Sequence, residues 1–274
     1  MNKIVFFDID GTLLGSDGKI SDNVRKALLK TQENGNRICL ASGRSKGGLP
    51  DAVADIPWDG YVLGNGSYGV YHDLEVMDER LDRSAVSEFI DYTAQIAGIG
   101  LILENNEGAY LTSSGGEIVC QVMKELQHYK QISSDVLLDY YTVIDDLRQI
   151  PDVNKIMYFG AEDHVGPMIE KFAGQFDFLP NSIIQGESLK DGEIMKKGIT
   201  KAAGIQKMIA EAGYSQQDVI AFGDGYNDIE MIEFAGVGVA MGNGVEALIQ
   251  KADIVADTHD NDGIYYVLTI LKLI

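Results

Sequence analysis

The chain has 274 residues, 45% of them hydrophobic, and a formal net charge of −20. That length suits two domains, and that apolar share suits packed cores. The negative charge opposes nucleic-acid phosphates and the anionic inner leaflet of a membrane, so neither is an expected partner, and no run approaches the roughly 20 apolar residues of a spanning helix. The opening apolar run is too short for a secretory leader. The two cysteines, Cys39 and Cys120, lie in apolar surroundings without metal-ligand spacing, so a reduced, cytoplasmic protein is expected.

Residues 3–7 read as a strand whose apolar run, Ile4-Val5-Phe6-Phe7, suits coverage on both faces of a parallel sheet. Asp8-Ile9-Asp10-Gly11-Thr12 follows directly. In an open α/β sheet, ligands bind beyond the carboxyl ends of the strands. Strand alternation points Asp8 and Asp10 the same way and turns Ile9 into the core. Two adjacent carboxylates raise each other's proton affinity unless a cation intervenes. A strand-end turn is the plainer alternative, since Asp and Gly are common turn residues.

A helix is expected over 22–33, capped by Ser21 and closed before Gly35. Residues 37–40 and 60–63 read as further strands, each followed by a Gly-rich turn. The turn Ala41-Ser42-Gly43-Arg44 offers a hydroxyl and backbone N–H groups that suit phosphate oxygens. The turn Asn65-Gly66 leaves Asn65 open to a substrate contact or a plain turn role. This strand–helix–strand alternation argues for an open, doubly wound α/β sheet.

The pattern then changes. Residues 68–77 read as a hairpin leading out of the sheet. An amphipathic helix is expected over 82–97, with Val86, Phe89, Ile90 and Ile96 on one stripe. Paired strands at 99–103 and 109–112, a helix at 117–130, a strand at 155–160 and a helix at 164–176 complete an inserted α+β domain over 83–187. The α/β alternation resumes with a helix at 201–212, ending at Gly213, and a buried strand at 219–222. A short helix at 227–234, a strand at 237–241 and the segments 245–251, 254–255 and 263–274 complete the sheet and its cover. The first domain is thus discontinuous, comprising 1–82 plus 188–274.

A second acidic turn, Gly223-Asp224-Gly225-Tyr226-Asn227-Asp228, follows the strand at 219–222. It falls at the same sheet edge, so Asp8, Asp10, Asp224 and Asp228 are expected to converge. Such a cluster calls for a hard cation, and oxygen-only ligands favour Mg²⁺ over zinc or copper. Lys201, taken alone at a helix start, reads as a solvated face residue.

Together, Asp8-Ile9-Asp10-Gly11-Thr12-Leu13-Leu14, Ala41-Ser42-Gly43-Arg44, Lys201 and Gly223-Asp224-Gly225-Tyr226-Asn227-Asp228 resemble the four motifs of haloacid dehalogenase-superfamily phosphatases. The resemblance covers nearly the whole chain. The late insertion is similar to that of the Cof-type (class IIB) subgroup, whose large α/β cap lies between the second and third motifs. Glu193-Ile194, followed by Gly198-Ile199-Thr200-Lys201, matches that subgroup's third motif, and Ala240-Met241-Gly242-Asn243 matches a later stretch. Ala202 departs from the glycine usual after the motif lysine, which leaves Lys196 and Lys197 as alternatives.

The resemblance implies a hydrolase acting on a small phosphorylated metabolite, a sugar phosphate or a nucleotide or cofactor phosphate. Asp8 is then the nucleophile and Asp10 the general acid/base. Mg²⁺ is held by Asp8, the Asp10 carbonyl, Asp224 and Asp228. Lys201 and Ser42, with Gly43, Arg44, Gly11, Asn65 and Asn227, bind phosphate and substrate. The cap closes over the site and reads the leaving group. The chain is expected as a monomer or homodimer. A phosphomutase would keep the same residues. A non-catalytic phosphate or metal sensor would lack Asp8, Asp10 or the motif lysine, and all three are present. His72, His128, His164 and His259 form no spaced cluster and read as surface or packing residues, the methionines as core, and Trp58 as structural.

Overall fold

The computed structural model describes residues 2–125, 141–180 and 189–274. The chain divides into two compact units: Met1–Arg44, Gly48–Asp78 and Ile199–Ile274 form the first, and Ser45–Gly47 with Glu79–Gly198 the second. Among the described residues no helix is long and apolar enough to cross a membrane.

The first unit opens with β1 (Ile4–Phe7), buried at every position. α1 (Asp22–Glu33) starts where Ser21 Oγ accepts from the Val24 N–H at 3.1 Å, and it ends before Gly35, whose φ of 88° turns the chain out of the helix. β2 (Arg37–Ala41) and β3 (Gly60–Leu63) extend the parallel sheet. β4 (Tyr68–Tyr71) and β5 (Leu74–Asp78) make the expected hairpin, but it does not lead out of the sheet. β4 pairs antiparallel with β3 and covers what would otherwise be an open edge.

In the second unit, Asp82 caps α2 (Arg83–Thr93), its carboxylate accepting from the Ala85 N–H at 2.9 Å. Then come β6 (Gly100–Glu104), β7 (Ala109–Leu111), α3 (Ser113–Glu125), β8 (Thr142–Val143), β9 (Lys155–Ala161), α4 (Glu162–Phe172), β10 (Phe176–Pro180) and β11 (Leu189–Lys196). The end of the helix expected at 117–130, with His128, lies outside the described residues. The strands form one sheet in the order β10-β11-β9-β6-β7-β8. Phe89 of α2 meets Phe172 of α4 edge-on at 5.0 Å and Phe176 at 5.9 Å, anchoring both helices on one face.

Two further expectations differ from the structure. The helix expected to reach residue 176 stops at Phe172, and Phe176 opens β10. The boundary expected at 187/188 falls after Gly198, because β11 pairs antiparallel with β9 and β10 and so belongs to the second sheet. Its charged sequence, Leu-Lys-Asp-Gly-Glu-Ile-Met-Lys, hides a strand from pattern reading.

The first unit resumes with α5 (Lys201–Ala212), β12 (Val219–Gly223), α6 (Ile229–Phe234), β13 (Val237–Ala240), β14 (Ile254–Val255) and α7 (Gly263–Ile270). The completed sheet has eight strands in the order β14-β13-β12-β1-β2-β3-β4-β5. Strand alternation divides its core. Val5, Phe7, Ile38, Leu40, Ile220 and Phe222 pack with residues of α1 and α7. Ile4, Phe6, Cys39, Ala41, Val219 and Ala221 pack with residues of α5 and α6. Each fully buried Leu, Ile or Phe contributes about 1.5–3 kcal/mol relative to exposure, so these two apolar layers supply much of the sheet's stability. Trp58 is structural as expected: its indole lies 6.3 Å from Phe7 and Nε1–H donates to the Val53 carbonyl at 2.9 Å. Cys39 and Cys120 are buried thiols that are not joined in a disulfide.

Candidate active site

The carboxyl ends of β1, β2, β3 and β12 bring the motif residues together. Asp8 continues the alternation of Ile4 and Phe6, which faces the α5 side. Its N–H donates to the Phe222 carbonyl at 3.0 Å, extending the β1–β12 ladder by one residue. On the α5 side waits Lys201, the first residue of that helix. Thr200 caps the helix by accepting from the Ala203 N–H at 3.2 Å.

Lys201 is not a solvated lysine. Its side chain is 0% exposed, and Nζ donates to Asp8 Oδ1 at 2.6 Å and Asp228 Oδ1 at 2.5 Å. Lys196 and Lys197 are half-exposed and pair with Glu79 and Asp177. Close helix approach makes the position of Lys201 possible. Gly66 has φ of 99°, and a Cβ there would collide with the Thr200 carbonyl at the helix start.

Asp228 is fully buried and uses both oxygens. Oδ1 receives Lys201, and Oδ2 accepts from the Asp224 and Gly225 N–H groups at 3.0 and 2.9 Å. Asp224 receives a hydrogen bond from Thr12 Oγ1 at 2.8 Å. A side chain at Gly11, where φ is 81°, would collide with the Asp224 carboxylate. Ligand oxygens of Asp8, Asp224 and Asp228 lie within 4.8 Å of one another.

The expected four-carboxylate convergence is therefore a three-carboxylate one. Asp10 turns to Arg44, whose Nε and Nη2 donate to its two oxygens at 2.7 and 2.8 Å. Ile9 is buried, as alternation requires, but the loop beyond it no longer follows strand geometry, and Thr12, Leu13 and Leu14 N–H groups all turn back to the Ile9 carbonyl. Arg44, expected on phosphate, is thus engaged with a carboxylate.

The electrostatics mark the cluster as short of positive charge. Burial pushes the Asp8 carboxyl well above the usual carboxylate range; Lys201 opposes this, and the charges of Asp228 and Asp224 add to it. Asp224 is pushed up to about 7 by burial and then by Asp228, against the hydrogen bond from Thr12. Burial alone would lower Lys201, but Asp228 and Asp8 outweigh it and hold the ammonium above the ordinary lysine range. Three carboxylates share one lysine, and every donor atom is oxygen, which fits a hard divalent cation such as Mg²⁺.

The remaining motif residues form the rim. Ser42 is buried; its N–H donates to the Val62 carbonyl at 2.8 Å and its carbonyl accepts from Asn65 N–H at 3.0 Å. Asn65 is also buried, at φ of 52°, and its Oδ1 accepts from Asn227 Nδ2 at 3.0 Å, linking the β3 and β12 loops. Gly43 lies beside both of these asparagines. Three partners had no role assigned from the sequence. Thr12 holds Asp224, Asn243 Nδ2 donates to the Gly11 carbonyl at 2.7 Å, and His259 lies 2.9 Å from Asn243 Oδ1 through Nδ1. Thr12 and Asn243 stand inside the recognised motifs, so their residue types were legible. His259 had no signal.

The family model described as haloacid dehalogenase-like hydrolase matches residues 5–268. A 5-amino-6-(5-phospho-D-ribitylamino)uracil phosphatase of Bacillus subtilis, YitU, is 28% identical over 95% of this chain and 94% of its own. Among solved structures, a hypothetical protein from Geobacillus kaustophilus HTA426 is 27% identical with a TM-score of 0.84, covering 100% of both chains. BT1666 from Bacteroides thetaiotaomicron, described among phosphatases of the superfamily, is 25% identical with a TM-score of 0.81, covering 100% of this chain and 96% of its own.

Proposed function

The chain belongs to the haloacid dehalogenase-like hydrolases and is a phosphatase, and from that premise we propose that it hydrolyses a small phosphorylated metabolite with Mg²⁺ through an aspartyl-phosphate on Asp8. The observation that carries this reading is the buried Asp8–Lys201–Asp228 triad beside Asp224. Asp8, Asp224 and the Asp10 carbonyl would hold Mg²⁺, with Asp228 in support; the bound cation would offset the carboxylate excess and the charge of the phosphoryl oxygens.

Lys201 orients Asp8 for attack on phosphorus and favours its ionised form against burial and the neighbouring carboxylates; the bound cation would complete that charge balance. As the Asp8–phosphorus bond forms, the ester P–O bond breaks, and Asp10 gives its proton to the departing oxygen. In the second half, Asp10 takes a proton from water, the water oxygen attacks phosphorus, and the Asp8–phosphorus bond breaks to release phosphate. Lys201 and the Ser42 hydroxyl steady the phosphoryl oxygens. Asn227, fixed by Asn65, and the Gly11 and Gly43 turns line the same group. Positioning and charge neutralisation supply most of the catalysis in phosphoryl transfer.

These groups fit any phosphate monoester, so substrate choice falls to the inserted second unit, residues 79–198. The class we propose is a sugar phosphate or a nucleotide or cofactor phosphate; the name of YitU, a 5-amino-6-(5-phospho-D-ribitylamino)uracil phosphatase, is in keeping with a small phosphorylated metabolite. The test is phosphate release from a panel of such esters by the purified protein. Activity should need Mg²⁺, vanish in EDTA and return with added metal. Full turnover in a metal-free preparation would overturn the proposal.

A further inference from the structure

Arg44 is the residue whose position fits its expected role least. Its guanidinium forms a two-pronged pair with Asp10, at 2.7 and 2.8 Å, and its third nitrogen, Nη1, donates to the Gly48 carbonyl at 2.9 Å. Each guanidinium nitrogen therefore has an oxygen partner. The backbone is tied as well: the Arg44 N–H donates to Ser42 Oγ at 3.2 Å, and its carbonyl accepts from the Gly64 N–H at 2.8 Å. A planar fork fixed at its base and its far end sets both the location and the rotation of the carboxylate it grips. Asp10 needs such a grip. It sits on an irregular loop and is 55% exposed, so no packing fixes its rotamer.

We propose that Arg44 is a positioning residue that aims the Asp10 carboxylate, rather than a ligand of the transferred phosphoryl group. The proposal rests on the reading of Asp10 as the acid/base. The fork keeps Asp10 out of the three-carboxylate group around Lys201; one of its oxygens can carry the proton for the departing group while the other stays on the guanidinium, and the freed carboxylate then serves the water. The phosphoryl oxygens keep Lys201 and Ser42. Misplacing a proton donor by about 1 Å costs on the order of 10²-fold in rate. That loss should depend on how much the leaving group needs a proton.

The test is steady-state kinetics with Mg²⁺ on p-nitrophenyl phosphate and on an alkyl phosphate such as glycerol 2-phosphate. The proteins are wild type, Arg44→Ala, Arg44→Lys, Asp10→Asn and the Arg44→Ala/Asp10→Asn double variant, with inorganic phosphate as competitive probe. Both side chains are partly exposed, so the variants should fold, and melting curves check this. Arg44→Ala should lower kcat on the alkyl ester by on the order of 10²-fold, much less on the aryl ester, with KM and phosphate inhibition unchanged. Lysine should rescue little, because a single ammonium cannot reproduce the fork. The double variant should be no slower than Asp10→Asn. A rise in KM and weaker phosphate inhibition would instead make Arg44 a phosphate ligand. Equal losses on both esters, or additive losses in the double variant, would also overturn the positioning role. An Asp10→Asn enzyme as fast as wild type would sink the acid/base reading itself, whereas an Asp10 effect without a matching Arg44 effect sinks only this proposal.

Discussion

Among the described residues, each unit of the molecule buries one lysine between two carboxylates, and the two arrangements differ in what they suggest about catalysis. In the second unit Lys155 Nζ lies 2.7 Å from Glu193 and 3.3 Å from Glu104. In the first, Lys201 lies 2.6 Å from Asp8 and 2.5 Å from Asp228. Both ammonium groups are held above the ordinary lysine range, because the carboxylates outweigh the burial that would neutralise them. A buried lysine, or a perturbed one, is therefore not in itself a sign of a site.

Two differences separate them. Lys155 opens β9, a central strand of an antiparallel pairing, directly across from Glu104 at the end of β6, where a charged pair ties neighbouring strands together. Lys201 sits where parallel strands end and helices begin, the usual place for ligands in such sheets. The Lys201 group also carries a third carboxylate, Asp224, which the lysine cannot neutralise and which is pushed up to about 7. Unbalanced charge at a strand-end crevice is what points to a cation and an anionic substrate.

The sharpest way to break this comparison is at Asp8. Asp8→Asn removes the nucleophile and a metal donor, so turnover should fall by on the order of 10⁴-fold or more, with no phosphoenzyme after acid quench. Wild-type levels of trapped phosphoprotein would relocate the nucleophile.

The paired lysine variants come next. Lys201→Ala should cost on the order of 10²- to 10³-fold in kcat, as loss of a preorganised charge does. Lys155→Ala should leave kcat nearly intact on an aryl phosphate, yet destabilise the second unit by about 3–5 kcal/mol, because Glu104 and Glu193 are left with their buried counterion gone. Activity assays and denaturant melts on both variants decide it. Similar kinetic losses would erase the distinction.

A smaller effect is expected at Asp10. Asp10→Asn should slow an alkyl phosphate by roughly 10²- to 10⁴-fold and an aryl phosphate far less. With an activated substrate it should let phosphoryl-Asp8 accumulate, visible by mass spectrometry. A phosphoryl group found on Asp224 would reverse the roles.

The least dramatic test reads stability. In metal-free protein Asp224 binds its proton more tightly when folded than when unfolded. Its favourable contribution is thus complete below the ordinary carboxylate range near 3.8 and is lost as pH rises through about 7. The melting temperature in EDTA should fall between pH 5 and 8, and Asp224→Asn should flatten that slope. Mg²⁺ at about 100 times its Kd should restore roughly 2.7 kcal/mol at the upper pH. A slope unchanged in the variant would remove Asp224 from the account.

Much of this arrangement was legible in the chain itself. The buried strand before Asp8, the Ser21 cap, the Gly-punctuated turns and the alternation that places Ile9 inside are local consequences of residue type and period, and the structure keeps them. Other readings failed for equally local reasons. β11 is too charged to look like a strand, and its place is set by pairing with β9 and β10. The hairpin of β4 and β5 looks the same in sequence whether it leaves a sheet or closes its edge.

The sequence by itself determined which residue types stand at the strand ends, in what order, and hence the kind of chemistry to expect. Tertiary structure alone decided which lysine meets Asp8, because that pair spans 193 positions and depends on sheet order and on how closely α5 approaches the Gly66 turn. It also decided that Asp10 turns to Arg44 rather than joining the carboxylate cluster. Strand periodicity ends where the strand ends. Beyond that point a side chain goes where a partner of opposite charge is held, and only the folded chain says where that is.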